Sequence, residues 1–291
     1  MSALRATPAA GPEPSIRSVE RALDLLDHLA ARPDLTLTDI SRELGIDKST
    51  ASRQLAFLER RNLVMRDPTN GRYALGYKLL ELGTLVAERS PVLRVAHPYM
   101  VQLRDRVDET IGLYERAGSG RVCVAQVESH QDLRRTLPIG VVRGLYPGSP
   151  GKPFLAAMPD AQLEPIIAAC AEQQFAAGGQ PDPDRLREEI RQVREQGFAF
   201  SSQEQVPGGA SLSVPLVDFR DAVVAVLAVS GPASRMRGEH LAHIIGEARA
   251  AGEAISRLLG RSPSKPEAGG DADVVPVRLP PSRTSADRRR S

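Results

Sequence analysis

Apolar residues recur every three or four positions near the start of the chain, which is the spacing of an amphipathic helix. The first such run covers residues 19–30, with Ser18 placed to cap it. A second helix is predicted to begin at Thr38, and Gly45 offers the left-handed conformation for the tight turn that follows. A third helix is predicted over residues 47–60, with an apolar face that packs and a polar face left free.

A short hairpin is predicted directly after the third helix. Residues 63–66 and 72–75 have the composition of strands, and the Asp-Pro-Thr-Asn-Gly segment at 67–71 is a strong turn signal. Helix, tight turn, helix and hairpin in this order are typical of a winged helix-turn-helix, which binds DNA. A further amphipathic helix at residues 77–89, before Pro91, is interpreted as a linker helix that can pack against a second copy of the chain.

The second half of the chain mixes helical and strand patterns. Helices are predicted at 93–107, 152–157, 161–172, 184–196 and 239–259, and strands at 110–115, 121–127, 198–203, 211–217 and 222–230. Several of these strands are joined by short turns, which favours an antiparallel sheet over the parallel sheet of nucleotide-binding folds. The sequence therefore predicts an α+β domain behind the DNA-binding one.

Composition is consistent with a two-domain globular protein. The 291 residues are 41% hydrophobic and 25% charged, without a run long enough to cross a membrane and without a signal peptide, so we expect a cytoplasmic protein. Residues 1–15 and 261–291 are rich in Pro, Gly, Ser or charge and are expected to be disordered. The formal net charge is only +2, so any affinity for DNA has to come from a local basic patch.

The polar face of the third helix carries the residue types that bind DNA. Side chains near the start of a recognition helix reach base edges, and Arg53 is the best candidate for reading a base. Basic and amide side chains on the wing would contact phosphates or the minor groove. The predicted DNA-binding residues are Lys48, Ser49, Thr50, Ser52, Arg53 and Gln54 on the helix and Arg66, Asn70 and Arg72 on the wing.

Five motifs in register across both halves resemble the IclR family of bacterial transcription regulators. They are Ser18-Val-Glu-Arg-Ala-Leu23, Lys48-Ser-Thr-Ala-Ser-Arg53, Gly71-Arg-Tyr-Ala-Leu-Gly76, Gly151-Lys152 and Val229-Ser-Gly-Pro232, and the likeness extends over residues 15–260. The resemblance implies a winged helix-turn-helix domain at 16–76, a linker helix at 77–91 that makes a dimer contact, and a GAF-like effector-binding domain at 92–260. It also implies a homodimer or a homotetramer on double-stranded operator DNA.

The same resemblance places an effector pocket around a glycine-rich loop and the strands that face it. The residues implied are Tyr146, Ser149, Gly151 and Lys152 on the loop and Ser201, Ser211 and Ser230 on the strands. Free backbone N–H groups in a loop that opens a helix suit a carboxylate, so an organic acid is the expected ligand. Ser201, Ser211 and Ala228 stand where the family often has Asp, Cys and Ser, which allows a ligand different from those of other members.

Enzyme chemistry has little support. Tyr146 and Pro153 break the pattern of a Walker P-loop, and His240 and His243 have no third metal ligand. Cys123 and Cys170 indicate neither a disulfide framework nor a zinc site and are expected to be buried. The predicted function is a ligand-responsive transcription factor, a repressor by base rate, without catalytic residues, metal or cofactor.

Two alternatives stay open. The C-terminal domain could serve only for oligomerisation and bind no ligand, which the departures in the pocket favour. A small-molecule-modifying enzyme with a borrowed winged domain is the other, although the sequence offers no catalytic constellation for it.

Overall fold

The computed structural model describes residues 17–170 and 182–262, which divide between Arg89 and Ser90 into two compact units. The predictions made for residues 1–15, for the helix end at 171–172 and for the tail from 263 onwards lie outside the described residues. Among the described helices, none has both the length and the apolar character needed to cross a bilayer.

The N-terminal unit has the predicted order of elements. Its helices are α1 (Arg17–Ala31), α2 (Leu37–Glu43), α3 (Lys48–Arg60) and α4 (Tyr77–Glu88), and its strands β1 (Val64–Arg66) and β2 (Tyr73–Leu75) pair as an antiparallel hairpin. The core comes from the apolar faces of α1, α2 and α3 and from the first residue of each strand. Its buried side chains are Leu25, Leu29, Leu35, Ile40, Leu55, Leu58, Val64 and Tyr73.

The start of α2 differs from the sequence prediction. Thr36, and not Thr38, is the N-cap: its hydroxyl accepts the Asp39 N–H, and the Asp39 carboxylate accepts from the Thr36 N–H in return. This reciprocal capping box satisfies two N–H groups that the helix leaves free. Gly45 adopts φ +63 after the helix, as predicted.

Helix α4 is bound firmly to the end of the helix-turn-helix. The Gly76 N–H donates to the Leu63 carbonyl (2.8 Å) and the Lys78 N–H to the Asn62 carbonyl (3.0 Å). The backbones pass so closely that a Cβ on Gly76 would collide with the Asn62 carbonyl. Against the residues that the structure describes, α4 buries none of its own, and it exposes Tyr77, Leu80, Leu82, Leu85 and Val86.

The C-terminal unit is built on one six-stranded antiparallel sheet with the order β5-β4-β3-β8-β7-β6. The strands are β3 (Thr110–Ala117), β4 (Gly120–Val127), β5 (Val142–Gly144), β6 (Ala199–Ser202), β7 (Gly209–Val217) and β8 (Val223–Pro232). The helices are α5 (Pro91–Val107), α6 (Lys152–Ala156), α7 (Asp160–Cys170), α8 (Pro183–Gln196) and α9 (Gly238–Leu258), with a 3₁₀ turn at Ser149–Gly151 before α6.

Both faces of the sheet are covered. Alternate residues of β8 point to opposite sides: Leu227 joins a core with α5 and α9, whereas Val226 joins a second core with α6, α7 and α8. Cys123 and Cys170 are buried in the second core, as expected. The predicted α+β class with an antiparallel sheet is confirmed, and β5 is the one described strand that the sequence pattern did not predict.

Candidate DNA-binding face and effector cavity

Asp47 fixes the start of the recognition helix α3. Its carboxylate accepts the Thr50 N–H (2.8 Å) and the Ser49 hydroxyl (2.6 Å). These hydrogen bonds, with Ser49 first, hold the pKa of Asp47 well below its ordinary value, so the capping charge is present at neutral pH. The first turn of α3 is therefore set before any DNA arrives.

The predicted base-reading residues differ in how far their side chains are exposed on α3. Lys48, Ser49, Ser52 and Arg53 are exposed, on the side away from the buried Ala51, Leu55 and Leu58. The Arg53 guanidinium donates to the Thr50 hydroxyl at 3.4 Å and has no carboxylate partner among the described residues. Gln54 is half-buried and its amide oxygen finds no hydrogen-bond partner, so it lies at the edge of this face.

The exposed face of α3 extends further than the sequence prediction. Phe57 is exposed four residues after Arg53, and the Arg60 guanidinium lies 5.8 Å from its ring centre. Residues four apart share a helix face, so both side chains continue the line of Arg53. The spacing of these two residues from Arg53 could have predicted their position on this face. However, a Phe that is exposed cannot be told from a core residue by sequence.

On the wing, two of the three predicted residues have structural partners. The Asn70 side-chain oxygen accepts the Arg72 N–H (2.9 Å) and closes the turn, and the Arg72 guanidinium donates to the Asp34 carbonyl (2.6 Å). Arg66 lies over the Tyr73 ring at 5.6 Å and is exposed. Arg66 is thus the wing cation with its charge most available to a phosphate.

In the C-terminal unit, the glycine-rich loop is already occupied by the protein's own groups. The Gly148 N–H donates to Glu204 Oε2 and the Ser149 N–H to Ser201 Oγ, both at 2.9 Å. The expectation that this loop offers those N–H groups free to a ligand carboxylate is therefore wrong, because Glu204 supplies a carboxylate from within the chain.

Lys152 belongs to the same internal arrangement. Its Nζ lies 2.8 Å from Glu204 Oε1 and 2.9 Å from Glu189 Oε2, and 1% of the side chain is exposed. Burial lowers the pKa of Lys152, but the charges of Glu204 and Glu189 outweigh burial and raise it, so the amine stays protonated. Neither Lys152 nor Tyr146, whose ring lies 5.7 Å from this amine, lines the cavities described below.

Gly151 has a packing role. A Cβ at this position would collide with the Leu145 carbonyl, so the chain can pass here only as glycine. Ser149 is hydrogen-bonded to the strands: its hydroxyl lies 2.7 Å from those of Ser211 and Ser213.

The three predicted strand serines are brought together. Ser201 and Ser211 are hydrogen-bonded through their hydroxyls at 3.1 Å, and Ser230 is the register partner of Ser211 on β8. All three line a small niche of about 20 Å³, together with Tyr114 and Arg135. Hydroxyl groups converging on one space can orient a polar ligand.

A larger cavity of about 320 Å³ shares a wall with this niche. Its walls come from β3, β4, β5 and the segments at 134–141 and 205–206, and they contain four arginines without an acidic residue. The lining residues are Tyr114, Arg121, Cys123, Arg134, Arg135, Thr136, Leu137, Pro138, Val141, Arg143, Gln205 and Val206. None of these arginines was among the predicted site residues, although the Arg134-Arg135 pair is a visible signal in the sequence.

The cavity arginines differ in their surroundings. Arg121 is buried and donates from both terminal nitrogens to the Gly144 and Pro147 carbonyls, while its Nε has no partner. Burial lowers the pKa of Arg121 to about 10 and also lowers that of Arg135, and in both cases the positive charge of Arg143 acts in the same direction. These cations repel one another, so the cavity favours anions.

The chain is similar to proteins that regulate transcription. It is 30% identical over 254 residues to the HTH-type transcriptional regulator XynR of Escherichia coli K12, covering 85% of this chain and 98% of the relative. It is 28% identical over 221 residues to the HTH-type transcriptional repressor AllR of the same strain, covering 76% and 82%. The crystal structure of the Thermotoga maritima IclR superposes with a TM-score of 0.73 at 27% identity, covering 84% of this chain and 100% of that one.

Family models match both units. The IclR helix-turn-helix domain matches residues 18–68, and the C-terminal domain of bacterial transcriptional regulator IclR matches residues 84–257. These families are regulators and not enzymes. With the winged helix-turn-helix and the α+β sheet domain in place, the chain belongs to the IclR family of DNA-binding bacterial transcriptional regulators.

Proposed function

We propose that this regulator is a repressor controlled by a small organic acid bound in its C-terminal domain. Residues 16–76 would bind an approximately palindromic operator, residues 77–91 would join two copies in a homodimer or tetramer, and residues 92–260 would bind the effector. Binding at one site then changes affinity at the other through a coupling free energy, typically about 1–3 kcal/mol. Its place of action is the cytoplasm, where operator DNA lies.

The observation that carries effector control is the arginine-lined cavity of about 320 Å³. This volume lies at the small end of the range for ligand sites, which is about 300–1,000 Å³. Arg135 lines both the cavity and the serine niche, and it has no carboxylate partner among the described residues. A guanidinium placed in this way suits a ligand carboxylate better than the glycine-rich loop does.

Repression is supported by the likeness to AllR, which is described as a repressor. A repressor binds its operator in the absence of the effector and leaves it when the effector binds. The proposed sign is therefore tested by adding metabolites to a preformed protein–DNA complex and measuring release.

The recognition helix gives a first prediction. Arg53→Ala should abolish selective binding to the operator while leaving binding to random DNA nearly unchanged, because a base contact contributes about 1–3 kcal/mol of discrimination. Arg66→Ala, on the wing, should weaken binding to both kinds of DNA and reduce the salt slope by about one. The measurement is a mobility shift on the intergenic DNA upstream of the gene, across salt concentrations.

Equal losses for the two variants on operator and random DNA would contradict the groove assignment of Arg53. If the wild-type protein does not distinguish the upstream fragment from random DNA, genome-wide site selection identifies the operator, and the two variants are then compared on that sequence.

The competing function is a C-terminal domain that only oligomerises. A metabolite panel in a thermal shift assay separates the two, since a ligand at 100 times its Kd stabilises the native state by about 2.7 kcal/mol. A panel of organic acids that leaves both the unfolding temperature and the protein–DNA complex unchanged favours the oligomerisation function.

A further inference from the structure

The charges around the cavity are unbalanced in a way that restricts the ligand. Of the four arginines in its walls, Arg134 is the one with a carboxylate partner among the described residues, its Nε lying 2.9 Å from Glu128 Oε2. Arg121, Arg135 and Arg143 have no ion pair in the part of the chain that the structure describes. A strong local field of one sign therefore lies over a concave, partly desolvated surface.

The acidic residue in the wall of the niche, Glu204, cannot neutralise that field. Glu204 lines the niche and attracts Arg121, but both of its oxygens are already engaged, Oε1 with Lys152 and Oε2 with the Gly148 N–H. Glu189 is likewise shared between Lys152 and Arg185. The two carboxylates thus compensate Lys152 and Arg185, and the charges of the three cavity arginines remain.

Two of the arginines offer a ligand separate points of contact. Arg135 lies at the junction of the cavity and the serine niche and is half-buried, whereas Arg143 is exposed on the edge strand β5. Apolar side chains also line the cavity, namely Leu137, Pro138, Val141 and Val206. Such a site suits a hydrocarbon segment that carries an acid group at each end.

We infer that the effector is a compact dicarboxylate, with one carboxylate held by Arg135 beside the serines and the other by Arg143 at the rim. The inference rests on the proposed function, since it names the ligand class of the same cavity. A monoanion would leave at least one of these two cations without a counter-charge, whereas a dianion with an apolar middle satisfies both ends.

The test is calorimetry on the full-length protein with acids matched in carbon skeleton. The pairs are glutarate with pentanoate, adipate with hexanoate, and terephthalate with 4-methylbenzoate. At least one dicarboxylate should bind about tenfold or more tightly than its monocarboxylate partner, and this preference should shrink as salt is raised. Sulfate at equal ionic strength should compete poorly.

Two variants locate the second carboxylate. Arg143→Gln should reduce the affinity for the preferred dicarboxylate to that of its monocarboxylate partner and leave the monocarboxylate unchanged. Arg134→Gln is the matched control, because this arginine lines the same cavity but is already paired with Glu128. It should keep the preference for the dicarboxylate.

Several results would overturn the inference. These are equal affinities within every pair, equal losses in the two variants, competition by sulfate as strong as that by the dicarboxylate, or no binding of any of the six acids. Monocarboxylates that bind as tightly as their dicarboxylate partners and release operator DNA would contradict only the inference of a dicarboxylate. The proposal of an organic-acid effector would stand. The mobility shift with Arg53→Ala needs no ligand and tests the DNA-binding function separately.

Discussion

Lys152 shows how a single residue can be identified correctly and assigned to the wrong partner. The Gly151-Lys152 pair suggested a ligand contact, yet the amine is enclosed by Glu189 and Glu204. These partners lie 37 and 52 residues further along the chain, in α8 and after β6. No local pattern links such distant residues, so only the tertiary structure could reveal that the loop binds an internal carboxylate.

A substitution at Lys152 has a large expected cost. Lys152→Met should lower the free energy of unfolding by about 3–5 kcal/mol, because it leaves two buried carboxylates without their shared cation. Urea unfolding measures the loss. The control is Arg191→Met, which removes an exposed cation that pairs with Glu188 and Glu195 and should change stability little.

If the Lys152→Met protein does not fold, the double variant with Glu204→Gln keeps the question open to measurement, since it also removes one of the stranded charges and should be more stable than the single variant. A loss below about 1 kcal/mol in the single variant would contradict the assigned ion pairs.

The cavity arginines were missed for a related reason. Arg121 is on β4, Arg135 is in the segment that follows it, and Arg143 is on β5, so only the pairing of these strands brings them together. In sequence each resembles an ordinary solvated cation. The exposed face of α3 was easier to predict, because Lys48, Ser49, Ser52 and Arg53 belong to one helix whose period is visible in the sequence.

Helices and strands were predicted closely wherever periodicity and turn residues agreed. The two hairpins formed by β1 with β2 and by β3 with β4 follow their turn signals, and α8 ends at the left-handed Gly197. Strand β5 was missed because it has three exposed residues and no alternation of its own. It is held by its pairing with β4 and by the Arg121 guanidinium, which donates to the Gly144 carbonyl, and sequence patterns record neither contact.

The displaced cap of α2 leads to a prediction with an internal control. Thr36→Ala removes the hydroxyl that accepts the Asp39 N–H and should destabilise the start of α2 by about 1 kcal/mol. Thr38→Ala alters an exposed position inside the helix and should have no such cost. Hydrogen exchange of the α2 amides should become about fivefold faster in the first variant alone. If exchange became faster in Thr38→Ala and not in Thr36→Ala, Thr38 would be the N-cap, as the sequence predicted.

For the assembly of the whole molecule, the exposed apolar surface of α4 is the most important feature. Twelve residues form a helix without one buried side chain, and Val86 is 71% exposed. A helix of this kind becomes stable when another surface covers its apolar side. The homodimer or tetramer expected from the sequence would supply such a surface, through α4 of a second copy.

This expectation predicts the effect of charge on assembly. Leu82→Lys combined with Val86→Lys places two cations four residues apart on the apolar side of α4 and should raise the dissociation constant of the dimer at least about tenfold. Glu81→Lys changes a residue on the neighbouring side, where it pairs with Lys78, and should leave the mass unchanged. Light scattering after size-exclusion chromatography gives the masses. Equal masses for all three proteins would remove α4 from the interface.

The close contact of Gly76 with Asn62 and Leu63 has a mechanical consequence for a dimeric regulator. Because α4 is hydrogen-bonded to the residues that end the helix-turn-helix, α3 and α4 move together. The helix α4 extends about 18 Å beyond that contact. In a dimer that meets through α4, the distance between the two recognition helices, which has to match one turn of DNA at about 34 Å, would be set by how the two α4 helices pack and not by bending at residue 76. Substitutions at Gly76 should therefore destroy the DNA-binding unit, whereas substitutions on the exposed apolar side of α4 should alter operator spacing.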